Sequence, residues 1–487
     1  MCFAVVVGRK ASVDGSVLFG HSEQNCGPNL VHYRRIPRRR HAKGATIRLQ
    51  GGALLPLPQE TWSFLWTEAP GLEFSDNCFN EWGVAVACNG CPTKEDALER
   101  VAERGDIIAG GLGHLLPRLV AMHARTAREG VELAAELIKR FGYTGIGRTM
   151  TVADPNEAWV MSLVRGRQYL AVRVPDEMVV VIPNRHVIGE VTDLRDQANV
   201  IASADLIEYA ISRGWYHPDN GPFNFQTAYA AAPEGSMEEQ YGVCSRQWHG
   251  QALVLAVEPA FPPSGLLPFA VRPAYLYGVQ DVATVLRSHL EATQFDLESA
   301  HASGSPHEAE CDIDTSYARC ACNIATQESV IWQLRSWLPR EVGCLAWRAT
   351  GVPCTSTYTP WYSATGPIPA AFHDDADPET AMDLAHHFQP EAGIHQPSEG
   401  SVFWTWQRLC ELIDADYRRT APLVRARWQE LEQTAFALQP TIEEMALQLR
   451  SQNPDLGRRW LSDYSVGRAL QAWQQAKELL QSLESRQ

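Results

Sequence analysis

The alternation of apolar and polar positions in the first half of the chain predicts a series of short β-strands. Apolar, largely β-branched residues fill positions 2–7 and 17–20, and Asp14-Gly15 lies between these runs as a strong hairpin signal. Further strands are predicted over 61–67, 83–88, 149–153, 158–163, 169–174 and 178–182. Because Gly, Asn and Asp-Pro turns separate these short runs, we expect antiparallel pairing.

Helical periodicity interrupts this strand pattern. Apolar residues recur at helical spacing over 112–123 and again over 131–138, and Gly142 is a suitable stop. The stretch from Thr93 to Asp96 resembles the N-terminal cap of a further helix that begins near Ala97. Helices on one side of antiparallel strands predict a layered α+β fold.

The second half of the chain divides into strands, a loop and helices. The polar stretch 298–314 is the best internal loop or linker, and strands resume over 317–347. From about residue 401 the pattern becomes strongly helical. We therefore place one domain at residues 2–400 and a helical extension at 401–487. That extension packs on the core or on a second subunit, so a homo-oligomer is one of two alternatives.

Composition and charge exclude several classes of function. The chain has 487 residues, 45% of them hydrophobic, and 42 basic against 57 acidic side chains give a net charge of −15. This is the composition of a globular protein rather than a nucleic-acid binder. No apolar run approaches the ~18 residues of a membrane span, and the N-terminus lacks the features of a secretory signal. We expect a cytoplasmic protein with no nucleic-acid or membrane partner.

Cysteine and histidine spacing gives little support for a metal site. Twelve cysteines are too dilute for a disulfide scaffold, so reduced thiols are expected. The pairs Cys88/Cys91 and Cys320/Cys322 have no matching second pair. No His-Glu-x-x-His motif occurs, and surface positions are expected for four histidines of the C-terminal half. These are His373, His386, His387 and His395. Neither a metal nor a cofactor is predicted.

Cys2 is the residue whose position supplies its own chemistry. Removal of Met1 is expected before so small a side chain, and it leaves a thiol and a free α-amine on one residue. An α-amine titrates near ~7.7–8.0, so it can act as the general base for a thiol whose own pKa is near ~8.5. On position alone, the alternative that Cys2 is a small hydrophobe beginning a strand is the stronger one.

The surrounding residues change that balance. The run Val7-Gly8-Arg9-Lys10-Ala11-Ser12, followed by Asp14-Gly15-Ser16, resembles the N-terminus of the cysteine dipeptidase family of N-terminal nucleophile (Ntn) hydrolases, which contains dipeptidase A and the secernins. Further segments similar to that family run through most of residues 1–370, and more loosely through the helical tail. They are Asn80-Glu81 with Gly83, Thr126 to Glu132, Ala153-Asp154-Pro155, Ile182-Pro183-Asn184-Arg185, Thr326-Gln327-Glu328-Ser329 and Trp347-Arg348-Ala349.

The resemblance implies a four-layer αββα fold, with residues 2–400 as the catalytic domain and Cys2 at a sheet end. In such a site the Cys2 thiolate attacks an amide carbonyl, and Asn89 and Asn184 are the implied donors to the oxyanion. Without the resemblance, both asparagines would be interpreted as turn residues. Arg246 either holds a substrate carboxylate, orients the nucleophile or forms a structural salt bridge.

One departure from the family pattern concerns the substrate. Family members commonly carry an Arg-Asn-x-Asp type sequence after the second strand, whereas this chain has His21-Ser22-Glu23-Gln24. His21 and Gln24 replace a cation and a carboxylate, so a dipeptide ammonium is recognised by Glu23 or not at all. Three functions follow: a thiol-dependent amidohydrolase of dipeptides or similar small amides; an amide-forming acyltransferase or specialised metabolite amidase; and a non-catalytic secernin-like binding protein.

Overall fold

The architecture is known from a computed structural model. It describes residues 2–25, 30–72, 77–231, 237–258, 266–296, 304–307, 320–391 and 393–485, with backbone alone at 237–244. The predicted loop at 298–314 lies outside the described residues except for 304–307. None of the helices in these described ranges has the length and apolar character needed to cross a membrane.

Two antiparallel sheets form the centre of the fold. The six-stranded sheet A has the order β14-β1-β2-β16-β17-β18, and the eight-stranded sheet B has the order β15-β13-β12-β11-β10-β9-β8-β3. The described strands are β1 (Phe3–Val7), β2 (Val17–Gln24), β3 (His32–Ile36), β4 (Arg39–Arg40), β5 (Thr46–Arg48), β6 (Leu54–Pro56), β7 (Glu60–Thr61), β8 (Phe64–Glu68), β9 (Asn77–Asn80), β10 (Ala85–Gly90), β11 (Arg148–Ala153), β12 (Ala158–Leu163), β13 (Tyr169–Arg173), β14 (Val179–Ile182), β15 (Val200–Ala202), β16 (Thr326–Leu334), β17 (Cys344–Thr350) and β18 (Thr359–Tyr362).

Helices cover the outer face of each sheet. The described α-helices are α1 (Leu98–Glu103), α2 (Leu116–His123), α3 (Ala127–Phe141), α4 (Leu206–Ser212), α5 (Phe225–Tyr229), α6 (Met237–Leu255), α7 (Val279–Leu286), α8 (Arg340–Gly343), α9 (Pro378–Ala381), α10 (Leu384–Phe388), α11 (Val402–Asp414), α12 (Tyr417–Gln452) and α13 (Pro454–Glu484). Helices α2 and α3 share an apolar core with sheet B, and α7 shares one with sheet A.

A third apolar core lies between the two sheets. Strand alternation sends Ala4 and Val6 into this inner core, while Phe3 and Val5 face the helices outside sheet A. Sheet A approaches α7 closely at Gly20, where an added Cβ would lie 2.6 Å from Val282 Cγ1. The predicted α+β fold with αββα layers is therefore confirmed.

The opening hairpin is also confirmed. Strands β1 and β2 pair antiparallel, with Phe3 opposite Ser22 and Val7 opposite Leu18. At the turn, Gly15 has a φ of 81°, and the Ser16 backbone amide donates to Asp14 Oδ1 at 3.0 Å. An Asp-Gly pair suits this turn because glycine adopts positive φ without strain and aspartate accepts from nearby amides.

The C-terminal helices pack on the core within the same chain. Arg335, which follows β16, forms two hydrogen bonds of 2.6 and 2.8 Å with the carboxylate of Glu443 on α12. Ser401 caps α11 by accepting from the Trp404 backbone amide, so the helical region begins where the pattern predicts it.

Two local predictions are wrong. The first helix begins at Leu98 with Ala97 as N-cap, and no side chain caps it, so Thr93 does not serve that role. His387 is not on the surface but fully buried, where it contacts Glu68 Oε1 at 2.9 Å and the Leu72 carbonyl at 2.8 Å. The short helix α10 carries it inward, and the polar composition of that segment concealed the helix.

Candidate active site

Cys2 lies at the end of sheet A, one residue before β1 begins. The pairing of Phe3 with Ser22 places Cys2 beside Glu23, and Cys2 Sγ lies 3.3 Å from Glu23 Oε1. Both side chains are buried, with exposed fractions of 5% and 1%. The pairing of β16 with β2 shifts its register at this end, between Thr326 and Glu328. Irregularities of this kind are frequent beside functional sites because they redirect side chains.

The surroundings of Cys2 favour its thiolate. Burial opposes ionisation, whereas the positive chain terminus and the Gln24 backbone amide favour it. Glu23 and Arg148 favour it as well, so the pKa of Cys2 lies below its usual value. Burial and the adjacent Cys2 raise the pKa of Glu23 to about 8. The Cys2 thiol and the Glu23 carboxyl group therefore titrate as a coupled pair, and the lowered pKa of Cys2 favours a reactive thiol.

Glu23 also has an unused acceptor. Its Oε1 accepts from Asn25 Nδ2 at 2.9 Å, in addition to facing the thiol. Its Oε2 is buried and has no hydrogen-bond partner among the residues that the structure describes. A buried oxygen of this kind is costly unless a further donor reaches it, so the site is suited to receive an N–H group.

Arg148 is a site residue that the sequence patterns did not reveal. It begins β11 opposite Gly90, is buried, and interacts electrostatically with Cys2 and Glu23. The predicted strand began one residue later, at Thr149. The available signal was a lone arginine between Gly147 and a run of strand residues, but only the structure shows that its charge acts on Cys2. Its guanidinium makes this end of the site electropositive.

The two predicted oxyanion donors lie near each other, one on β10 of sheet B and one just after β14 of sheet A. Asn89, on β10, is fully buried and donates from Nδ2 to the Ile182 carbonyl at 3.3 Å, while its Oδ1 has no hydrogen-bond partner among the described residues. Asn184 follows β14, is half-buried, and donates from Nδ2 to the Gly90 carbonyl at 2.8 Å. Each amide NH2 has a second hydrogen, so both roles stay predictions.

The side chains of Arg246 and Gln24 form hydrogen bonds with other residues around the site. Arg246, on α6, is buried and donates to the Cys2 carbonyl at 3.2 Å, to Gln24 Oε1 at 3.1 Å and to Asn184 Oδ1 at 2.6 Å. Gln24 Nε2 donates to the Ala321 carbonyl at 2.7 Å and to Thr326 Oγ1 at 3.0 Å. These contacts favour the orienting role of Arg246 and a similar role for Gln24. Their predicted substrate contacts stay predictions.

His21 points to the same side of β2 as Glu23. It is fully buried, and its Nε2 lies 3.2 Å from the Cys88 carbonyl, so the tautomer that carries the proton on Nε2 donates there. Its Nδ1 then has a free lone pair and no hydrogen-bond partner in the described part of the chain. Burial lowers the pKa of His21, so the ring is neutral at pH 7 and acts as an acceptor.

Comparison with known proteins finds relatives that align over most of this chain. A 26% identical relative from Latilactobacillus sakei, named "Probable dipeptidase", aligns over 85% of this chain and 81% of its own length. "Probable dipeptidase B" of Streptococcus pyogenes serotype M1 is 23% identical over 98% of this chain and 91% of that protein. Among solved structures, penicillin V acylase from Agrobacterium tumefaciens is 11% identical, covering 74% of this chain and 85% of that one, with a TM-score of 0.32.

The sequence profile of one family spans most of the chain. Peptidase family C69 matches residues 1–430, which include Cys2 and extend into α12 of the helical tail. The dipeptidase resemblance expected from the first strands is thereby confirmed, together with its implication of a cysteine-type hydrolase. The chain belongs to Peptidase family C69.

Proposed function

We propose that this protein is a dipeptidase whose nucleophile is Cys2, made N-terminal by removal of Met1, and whose reaction passes through a thioester. The observation that carries the proposal is the buried Cys2 thiol 3.3 Å from Glu23, at the end of a sheet in a family C69 chain. The names of the relatives support a dipeptide as the substrate.

The reaction is balanced with groups of this chain and water. The α-amine of Cys2 takes the thiol proton, the sulfur forms a bond with the peptide carbonyl carbon, and the carbonyl electrons move to oxygen. Asn89 and Asn184 donate to that oxyanion through their amide N–H groups. Collapse breaks the C–N bond, and the protonated amine gives its proton to the leaving nitrogen. Water then attacks the thioester, which releases the carboxylic acid and regenerates the thiol.

Glu23 and Arg148 provide charges for the two ends of a dipeptide. The unpartnered Glu23 Oε2 is positioned to accept from the substrate ammonium, which would then draw Glu23 into its ionised form. The Arg148 guanidinium supplies positive charge on the same side as the thiol, where it stabilises a thiolate or a substrate carboxylate. In this proposal Gln24 and Arg246 orient Cys2 and Asn184 through their hydrogen bonds.

The experiment compares wild type with Cys2→Ala on a panel of dipeptides and simple N-acyl amides, read by mass spectrometry. We expect Cys2→Ala to lose hydrolysis and keep the fold, while Cys78→Ala, which alters a buried cysteine on β9, retains hydrolysis. Intact mass reports whether Met1 is removed, and a trapped acyl adduct on Cys2 reports the thioester. Retained Met1 in active enzyme, or undiminished hydrolysis by Cys2→Ala, would refute the mechanism. Transfer of the acyl group to an added amine in preference to water would favour the acyltransferase alternative.

A further inference from the structure

A second cluster of reactive side chains lies outside the active site. One ligand atom from each of four residues lies within 4.8 Å of the other three, and all four residues are buried. They are His289, His307, Cys322 and Cys354. His289 follows α7, Cys322 precedes β16 and Cys354 follows β17, so the cluster joins segments distant in sequence at one end of sheet A.

The spacing of these atoms fits a tetrahedral ion. With Zn–S near 2.3 Å and Zn–N near 2.0–2.1 Å, tetrahedral geometry separates two sulfurs by about 3.8 Å and a sulfur from a nitrogen by about 3.6 Å. The distance from Cys354 Sγ to His307 Nε2 is 3.5 Å. The 4.8 Å limit on the remaining pairs leaves shifts of about 1 Å to complete the tetrahedron. Both cysteines are free thiols in the structure.

The surroundings orient the histidines for ligation. His307 Nδ1 lies 2.9 Å from Asp414 Oδ1, at the end of α11. The carboxylate accepts a hydrogen bond from Nδ1–H, which leaves the Nε2 lone pair facing Cys354. His289 has a carboxylate at similar range, since its Nδ1 lies 3.4 Å from Glu291 Oε1. A carboxylate behind a ligating imidazole fixes its tautomer and increases its basicity.

We propose that His289, His307, Cys322 and Cys354 bind one zinc ion in a structural site. Four protein ligands complete the coordination shell, which leaves no position for a substrate or a reactive water. Binding removes one proton from each thiol into solvent, and the two thiolates balance the charge of Zn²⁺. Two sulfurs and two imidazole nitrogens in tetrahedral array favour zinc over magnesium or calcium.

The site has a direct structural connection to the active site. Ala321, the residue before the ligand Cys322, accepts from Gln24 through its carbonyl at 2.7 Å. Gln24 in turn accepts from Arg246, which also holds the Cys2 carbonyl and Asn184. An ion bound to Cys322 would therefore also restrain the Ala321 carbonyl, which accepts from Gln24 at the end of β2. The proposal concerns metal content and stability, so its test does not depend on the proposed dipeptidase activity.

The test measures the zinc content of the purified full-length protein by inductively coupled plasma mass spectrometry. We expect about one zinc per chain. After removal of the metal by a chelator, we expect a lower Tm and recovery of that Tm on addition of zinc alone. Cobalt(II) added to the metal-free protein should give the intense visible bands of a tetrahedral ion and a thiolate-to-cobalt charge-transfer band.

Variants assign the ligands. Cys322→Ala and Cys354→Ala should lose stoichiometric zinc and the charge-transfer band. The matched control is Cys410→Ala, because Cys410 is a buried thiol of the same apolar cluster whose Sγ lies 3.6 Å from Asp414 Oδ2 and outside the four-ligand set. Asp414→Asn keeps all four ligands, so it should fold with zinc and bind it about 10–100-fold more weakly in a chelator competition.

Three results would overturn the proposal. The first is the absence of zinc both in the purified wild type and after reconstitution, together with no tetrahedral cobalt spectrum. The second is an intact mass and peptide map that show a Cys322–Cys354 disulfide in freshly purified protein. The third is loss of zinc from Cys410→Ala with retention in Cys354→Ala, which would assign the ion to a different set. Because the cobalt spectrum is recorded on wild type, poor folding of a variant does not decide the result.

Discussion

Replacing Arg246 with lysine tests how Cys2, the proposed nucleophile, is held in place. The guanidinium donates to three acceptors: the Cys2 carbonyl, Gln24 Oε1 and Asn184 Oδ1. A lysine ammonium is a point donor on a narrower stem and cannot reach all three in the same geometry. Arg246→Lys therefore keeps the buried charge but breaks the bridge between Cys2 and the predicted oxyanion donor Asn184.

The expected magnitude follows from the number of bonds lost. A hydrogen bond to a charged group contributes about 1.5–3 kcal/mol, and Arg246 itself is only 2% exposed. If lysine retains one of the three bonds, two are lost, which corresponds to about 3–6 kcal/mol before relaxation. We expect a loss of about 3 kcal/mol in the free energy of unfolding, and a fall in kcat larger than any rise in KM.

The assays are urea unfolding and steady-state hydrolysis of the dipeptide that the wild type cleaves best. Arg9→Lys is the control, because Arg9 pairs with Asp176 at the surface with 44% of its side chain exposed and should change stability by no more than about 0.5 kcal/mol. If Arg246 instead held a substrate carboxylate, Arg246→Lys would raise KM at unchanged kcat and unchanged urea midpoint. That outcome would refute the orienting role.

Two further predictions concern titration. Arg148→Met removes a positive charge that lowers the pKa of Cys2, so the pH midpoint for alkylation of Cys2 by iodoacetamide should move upward. Arg148→Lys should leave that midpoint near the wild-type value. Equal midpoints in wild type and both variants would contradict the effect of Arg148 on the Cys2 thiol. Burial lowers the pKa of His186 to about 4, so between pH 6.5 and 4 the unfolded chain binds a proton that the folded chain does not bind, and the free energy of unfolding falls by about 3 kcal/mol. In His186→Asn the free energy of unfolding should fall less over this pH range. An unchanged slope of that free energy against pH would count against this prediction.

The strands around Cys2 were predictable because their local signals agree with the global fold. The Asp14-Gly15 turn, the apolar run after Cys2 and the β-branched residues of β14 all favour the same antiparallel pairing. Helices α6 and α7 left no comparable signal. Val279–Leu286 is short and half β-branched, a composition that suits a strand equally well, and only its packing against Gly20 of β2 selects a helix.

Some site residues were likewise predictable from the sequence, whereas others depend on contacts between distant segments. Cys2 is predicted as the nucleophile from its place in the chain together with the family resemblance, and the structure places its thiol beside Glu23. Arg148 was not predicted, and for Arg246 the orienting role was one of three alternatives, because their contacts arise from the β10–β11 register and from the approach of α6 to the sheet. A charged residue in a sequence does not reveal whether its partner is a substrate or a buried carbonyl.

The cluster of His289, His307, Cys322 and Cys354 also could not be recognised from the sequence. Metal motifs are recognised when two ligands lie on one turn and share a spacing, and here the four ligands come from four separate segments between residues 289 and 354. The pair Cys320/Cys322 has no matching second pair in the sequence, yet a ligand atom of Cys322 lies within 4.8 Å of those of Cys354 and the two histidines. Asp414, which orients His307, comes from the helical region that sequence assigned to a separate extension. A zinc ion at this cluster would therefore link the end of α11, the strands of sheet A and, through Ala321 and Gln24, the residues that hold Cys2. The helical region would then contribute to the stability of the active site without supplying any group to the reaction.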